Sequence, residues 1–432
     1  MWYYIVLTAG SEKQKEIFEK ELRLLPISEY SSGKCVLKDD APEGVRIGSG
    51  GSTLSLIRSD NAYMNDKINL KHLLVHSGGL SQRMPHLSAY GKAFGLLPNG
   101  KTLLETKLDI YRNHLFDKLP PVSGIMITAS DVLEDMQGLP SIRNSDADII
   151  IFAHTSSLEV GTQHGVFVVD AKTKKLKKVL QKPSVEEMRK EGALREDGTI
   201  LTDSCFFLTW PFCDQILNSD NLFNEQITEE LCCYGDFMRG LGTEPKLDYI
   251  DDSPPKLAEY RRALANSFSK AKIQICELGK NTFFHFGTYR EFLEHLLPDS
   301  ALRNAFPDIF TSNVQKSKGF QIMKVPDSSF VEFSDGMRVG VGQNCVISGI
   351  EAEQMKIKIS DDTVVFTMAL NKGDYVSVMF KIDDDIKKKW NRLKWNGHDT
   401  GIANTSMWDA PIFRTGLTGW KKRERGFRSA KQ

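Results

Sequence analysis

Short apolar runs alternate with amphipathic stretches through the first half of the chain. Tyr3–Thr8, His72–Ser77, Ser123–Ser130 and Ala147–His154 read as buried strands. Glu12–Leu24 carries the charge pattern of a helix. Strands separated by helices predict βαβ units and a mostly parallel sheet. In such a sheet a ligand binds beyond the carboxyl ends of the strands. Gly165–Ser184 holds two β-branched runs around a lysine-rich turn and predicts a hairpin whose lysines are solvated. From Leu257 to Leu297 the spacing is helical.

Past Phe310 the pattern becomes a series of short β segments: Phe320–Val325, Ser329–Phe333, Arg338–Ile350, Gln354–Ser360, Thr363–Leu370 and Tyr375–Ile382. Glycines among small aliphatic residues at 340, 342 and 349 resemble coils of a hexapeptide β-helix, left-handed in that class. An antiparallel sandwich is the equal alternative. Three regions are therefore expected: an α/β domain over 1–256, a helical connector over 257–310 and a β-rich domain over 311–432.

Composition narrows the partners. Among 432 residues, 56 Lys+Arg balance 56 Asp+Glu, so no net field draws the chain to nucleic acid or to an anionic membrane. The seven cysteines are odd in number and scattered, with no CxxC, which points to reduced thiols in the cytoplasm and not to a disulfide framework or a zinc site. No apolar run approaches the roughly 18 residues that span a bilayer. The basic stretch 419–432 reads as a solvated tail.

The strongest chemical feature is Val75-His76-Ser77-Gly78-Gly79-Leu80-Ser81-Gln82-Arg83-Met84-Pro85, with Lys92 nine residues past the arginine. Gly78 and Gly79 let backbone approach a ligand, Ser81 adds a hydroxyl, Arg83 suits bidentate phosphate contact and Lys92 adds a point charge. A plain strand–turn–helix connection is the bland alternative. No GxxxxGK[ST] loop is present, which disfavours P-loop chemistry. Gly48-Ser49-Gly50-Gly51-Ser52-Thr53 opens a helical stretch; it suits a phosphate or base, or a flexible loop. Asp131 follows an apolar strand and suits Mg²⁺ or a helix N-cap. Lys182 in Leu180-Gln181-Lys182-Pro183 suits a sugar phosphate or bare solvent. Asp236 and Asp203 are each a metal ligand, a sugar-hydroxyl acceptor or a solvated carboxylate. His285, among phenylalanines, reads as packed.

These residues carry a resemblance. VHSGGLSQRMPHLSAYGK resembles the signature loop of nucleotide-sugar pyrophosphorylases in its variant from the L-fucose-1-phosphate guanylyltransferase family. MWYYIVLTAGSEKQ, GSGGSTLSLI, ITASDVLE, VLQKPS, LTDSCFF, YGDFMRGLG, FFHFGTYREFLEHL and MWDAPIF follow the same family in order. The resemblance implies a Rossmann-like nucleotidyltransferase domain, GTP and L-fucose 1-phosphate as substrates, and Mg²⁺ as cofactor. It places Gly78, Gly79 and Ser81 on the triphosphate, Arg83 on pyrophosphate, Lys92 near the reacting phosphorus and Lys182 on the sugar phosphate. It assigns Asp131 and Asp236 to metal and gives Gly48, Gly50, Gly51, Ser52 and Thr53 a nucleotide-reading role. The loop departs from the common GxGTR, and Ala93 replaces the usual proline after the lysine. A homo-oligomer through the C-terminal domain is a further expectation. Another sugar-1-phosphate nucleotidyltransferase and a catalytically inert regulatory homologue are the alternatives. Arg83 and Asp131 are expected to meet at one cleft.

Overall fold

The computed structural model describes residues 1–40, 44–64, 67–319, 324–336, 339–351, 357–369, 375–395 and 398–410. The chain forms two compact units: Met1–Gly79 with Leu104–Phe284, and Leu80–Leu103 with His285–Gln432.

The first unit is α/β. Its elements run β1 (Tyr4–Ala9), α1 (Glu12–Leu22), β2 (Cys35–Asp39), α2 (Gly48–Met64), β3 (Lys71–His76), α3 (Leu103–His114), β4 (Gly124–Ala129), β5 (Val132–Glu134), β6 (Ile149–Ser156), α4 (Leu158–Gly161), β7 (Gly165–Val169), β8 (Leu176–Gln181), α5 (Val185–Lys190), β9 (Ile200–Thr209), α6 (Trp210–Ser219), α7 (Pro255–Phe268) and β10 (Ile273–Lys280). The main sheet has the order β10-β6-β9-β4-β3-β1-β2, with the β7–β8 hairpin attached through β9. Six of these seven strands run one way and β9 runs against them. The mostly parallel sheet and the hairpin thus stand where the apolar runs put them.

Burial explains the arrangement. Val6, Leu74, Ile125, Ile127, Ile149 and Ile151 share a core with Leu54 and Ile57 of α2 and with Trp210, Phe212 and Ile216 of α6. Continuous β-branched runs suit strands covered on both faces. Helix α1 starts because Ser11 caps it, its hydroxyl accepting the Gln14 N–H at 3.2 Å.

Two expected boundaries move. Ile273–Lys280 pairs in parallel with β6 as the edge of the sheet, and Phe268 of α7 packs on Phe212 and Phe237. The α/β unit therefore runs past residue 256, and 257–310 is not a separate connector. The neighbouring helical spacing masked this strand. The stretch Leu80–Leu103 also leaves the sheet unit for the second one, a change no composition shift marks.

In the second unit the strands pair largely in parallel. Val314, Val331, Ile347 and Val365 are successive partners, separated by 17, 16 and 18 residues. Val339 pairs with Ile357 in the same sense, and Lys318, Asp335 and Glu351 form a line of parallel bridges. Val331, Val339, Cys345, Ile347, Ile359 and Val365 fill the interior. The last strands reverse: Thr363–Ala369 pairs antiparallel with Tyr375–Lys381, and Trp390–Trp395 pairs with His398–Thr405. Residues 320–323, 338, 354–356 and 370 of the expected strands, the end of MWDAPIF and the basic stretch 419–432 lie outside the described residues.

Among the described residues no helix is long and apolar enough to cross a membrane. All seven cysteines are free thiols.

Candidate active site

The sheet order fixes where a ligand can sit. The chain leaves β1 through α1 toward β2 on one side. It returns past β1 to β3 and continues to β4 on the other. With right-handed crossovers, the covering helices change face between β1 and β3, the switch point at whose carboxyl ends sheets of this kind bind ligands. Gly10 follows β1 there, and Ser77-Gly78-Gly79 follows β3.

The two loops are tied together. Thr8 Oγ1 accepts the N–H groups of Ser77 at 3.1 Å and Gly78 at 3.3 Å. Gln14 accepts the Gly10 N–H at 2.7 Å and donates to the Gly79 carbonyl at 3.0 Å. A Cβ on Gly78 would lie 3.2 Å from the Gly10 nitrogen, so this loop contact needs glycine. Gly79 has φ +119°, which L side chains rarely adopt.

Asp131 leaves the same edge. The β3–β4 ladder ends at His76 opposite Ala129, and the Ser130 N–H donates to the His76 carbonyl at 3.0 Å. Asp131 then sits half-buried in the turn between β4 and β5. No helix follows, so it is not an N-cap. The turn is braced from below by Lys107, whose Nζ donates to Thr128 Oγ1 at 2.8 Å and to Glu134 Oε2 at 2.7 Å. Lys107 is 1% exposed and Glu134 0%, so neither tolerates loss of the other.

Lys182 ends β8 with an exposed side chain and a left-handed φ of +48°. Its N–H donates to the His164 carbonyl at 3.0 Å. Strain of this kind at a non-glycine residue is held only where the surroundings fix it. Next to His164, the Gly165 N–H donates to Asp203 Oδ1 at 3.0 Å, while Asp203 Oδ2 is buried without a hydrogen-bond partner. Burial pushes the Asp203 carboxyl up to about 6, against the pull of the Gly165 N–H and the Lys182 charge.

Two sets of expected site residues have partners inside the protein. Gly48, Gly50 and Gly51 do open α2, but packing explains them. The Gly50 N–H donates to the Leu231 carbonyl at 2.8 Å, a Cβ on Gly48 would lie 2.3 Å from that oxygen, and one on Gly51 would lie 2.7 Å from Ile47 Cβ. Ser52 donates to Asp40 Oδ1 at 3.0 Å, and the Thr53 hydroxyl is buried against Ser49 O and His76 Nε2. These hydroxyls are engaged inside the protein. Asp236 is likewise engaged: Oδ2 accepts the Cys232 N–H at 2.7 Å and Oδ1 accepts Arg261 Nε at 2.8 Å, with the carboxylate 4% exposed. It forms a buried ion pair with Arg261.

The remaining predicted residues belong to the second unit. Ser81 has φ +46° and its carbonyl accepts the Met84 N–H at 2.8 Å, closing a turn on which Arg83 is exposed. Lys92 follows Gly91, whose φ is +76°, and its Nζ donates to the Gly287 carbonyl at 3.2 Å. His285, half-buried, has its Nδ1 3.1 Å from Glu291 Oε1.

Among the described residues no three His, Cys, Asp or Glu side chains are grouped to hold a metal alone. Mg²⁺ commonly takes one or two protein carboxylates and completes its shell with phosphates and water. Asp131, in the turn after β4, fits that demand; both carboxylate oxygens of Asp236 are already engaged. Sequence reading overlooked Thr8, Gln14, Lys107 and Glu134. Of these, Thr8 and Gln14 stand in the LTAGSEKQ string and Glu134 ends ITASDVLE, while Lys107 lies in none of the strings that carry the resemblance.

The chain matches the fucose pyrophosphorylase domain over residues 65–431. It is 29% identical to fucose-1-phosphate guanylyltransferase of Homo sapiens, covering 91% of this chain and 74% of that protein. The Mus musculus protein of the same name is also 29% identical, over 95% of this chain and 83% of its own length. A bifunctional fucokinase/GDP-fucose pyrophosphorylase of Arabidopsis thaliana is 26% identical over 69% of this chain and 32% of its own. With a diglycine turn beside a braced carboxylate at one sheet edge, and a match over residues 65–431, this protein is a member of the fucose pyrophosphorylase domain family.

Proposed function

We propose that this protein transfers GMP from GTP to L-fucose 1-phosphate, giving GDP-L-fucose and pyrophosphate. The observation that carries the reading is the closure of Gly78–Gly79 onto Gly10 with Asp131 leaving the adjacent strand. That edge admits a polyphosphate to backbone and offers a carboxylate for the accompanying cation. The relatives' shared name supplies the substrates.

A sugar-phosphate oxygen attacks the α-phosphorus of GTP, the bond to the β-phosphate oxygen breaks, and pyrophosphate leaves. The attacking phosphate is ionised near neutral pH, so no general base is needed. The obstacle is repulsion between two polyanions, and positioned cations lower it. Lys182 orients the sugar phosphate, Arg83 receives the leaving pyrophosphate, and Lys92 offsets charge near the reacting phosphorus. Asp131 would hold Mg²⁺, which screens the phosphate charges when bound.

Free thiols suit a reducing compartment, the cytoplasm. The parallel steps of 16 to 18 residues in the second unit support reading it as a β-helix, since three hexapeptides make one coil. The test of specificity is a substrate panel. Pyrophosphate release with GTP is expected to be at least about tenfold faster for L-fucose 1-phosphate than for other hexose 1-phosphates. Equal rates across the panel would refute the sugar assignment.

A further inference from the structure

The loop that carries Arg83 is clamped by a buried polar cluster in its own unit. His86, three residues past Arg83, lies on the short Pro85–Leu87 turn. Its Nδ1 is 2.6 Å from the Tyr289 hydroxyl, and the two rings stack at 5.1 Å. Its Nε2 faces Glu332 Oε1 at 3.7 Å. The same oxygen accepts from Tyr90 of the loop at 3.4 Å and from Ser348 of the neighbouring strand at 2.9 Å. Glu332 is 1% exposed.

A buried carboxyl costs stability unless it does something an apolar side chain cannot. Glu332 has core residues, Phe330 and Val331, as its strand neighbours. The carboxyl instead contacts two loop residues, His86 and Tyr90, which flank the turn after Arg83. Both groups are held toward their neutral forms by burial, Glu332 raised to about 7 and His86 lowered to about 3. A neutral network in a dry setting is rigid when its members are satisfied. Lys92 adds a second tie through Gly287.

We infer that Glu332 and Tyr289 are positioning residues that hold the Arg83 turn, through His86 and Tyr90, in the form that receives the nucleotide's phosphates. The inference rests on the reading that Arg83 meets those phosphates. Neither residue touches substrate; each acts through the loop.

The test is a double-mutant cycle. Glu332→Leu and Tyr289→Phe are made alone and with Arg83→Ala, and steady-state constants are measured for GTP and for L-fucose 1-phosphate. Each single variant is expected to raise KM for GTP about fivefold or more and to leave KM for L-fucose 1-phosphate within about twofold. In the Arg83→Ala background the GTP effect should shrink below about twofold, because the turn then holds nothing to position. Glu332→Gln, which keeps an acceptor for Tyr90 and Ser348, should restore GTP KM toward wild type. If Glu332→Leu does not fold, the milder Tyr289→Phe carries the test, with thermal melting as the check. Effects that add fully to Arg83→Ala, or that fall equally on both substrates, overturn the clamp while leaving Arg83's role intact. Full activity of Arg83→Ala overturns the phosphate reading itself and the clamp with it.

Discussion

Gln14 spans the crevice mouth: one amide accepts the Gly10 N–H and donates to the Gly79 carbonyl, fixing the turn after β1 to the turn after β3. Gln14 reaches a residue 65 positions along the chain. It lies on an exposed helix start, so its loss costs the fold little. Gln14→Ala is expected to raise KM for GTP about three- to tenfold while shifting Tm by only about a degree or two. Steady-state kinetics with a parallel melt checks both halves.

Asp131 and Asp236 should part company under substitution. Asp131→Ala removes the carboxylate at the crevice and is expected to lower turnover on the order of 10²-fold with the melting temperature nearly unchanged. Asp236→Ala strands the Arg261 guanidinium and the Cys232 N–H, costing about 3 kcal/mol of stability. Denaturant titration of the two variants beside their activities distinguishes them. A stable, inactive Asp236→Ala enzyme would return that residue to the metal site.

Gly48 makes a packing claim. Its φ is +70°, and a Cβ there would lie only 2.3 Å from the Leu231 carbonyl oxygen, so Gly48→Ala meets both backbone strain and a clash. A loss of about 2 kcal/mol or more in denaturant titration is expected. A nucleotide-reading glycine would instead leave stability alone and weaken GTP binding.

How much of this was legible in the sequence depends on whether the signal was local. Strands β1, β3, β4 and β6 are continuous apolar runs, and the diglycine turn after β3 is written in adjacent residues, so both were readable. The partners of Asp236 and Gly48, Arg261 and Leu231, were not readable because they are distant in sequence. A carboxylate that will meet a guanidinium looks the same as one that will meet a metal. The edge strand Ile273–Lys280 was lost for a different reason: its alternation IQICELGK is short and adjoins a strongly amphipathic helix. The pairing of Lys107 with Glu134 had no signal, since a buried ion pair is composed of residues that normally mark the surface.

Asp203 supplies a pH signature. Burial raises its carboxyl from 3.8 to about 6, so the folded state binds that proton more tightly than the unfolded state. Its stability contribution is present below about pH 4 and is lost as pH rises through 6. Above that, a buried charge is carried at a cost on the order of 2–3 kcal/mol. Asp203→Asn keeps an acceptor for the Gly165 N–H and removes the charge. It is expected to match wild type near pH 4 and to melt higher above pH 7. Identical melting curves for the two proteins at pH 8 would contradict the burial argument.

The central claim is a transfer of GMP, and following the α-phosphate tests it most directly. GTP labelled at the α-phosphorus is incubated with L-fucose 1-phosphate, Mg²⁺ and the purified protein, and the products are separated. The account predicts label in GDP-L-fucose, with one pyrophosphate formed per labelled product. Label recovered in GDP, with the γ-phosphate moved to the sugar, or label left entirely in GTP, would contradict it.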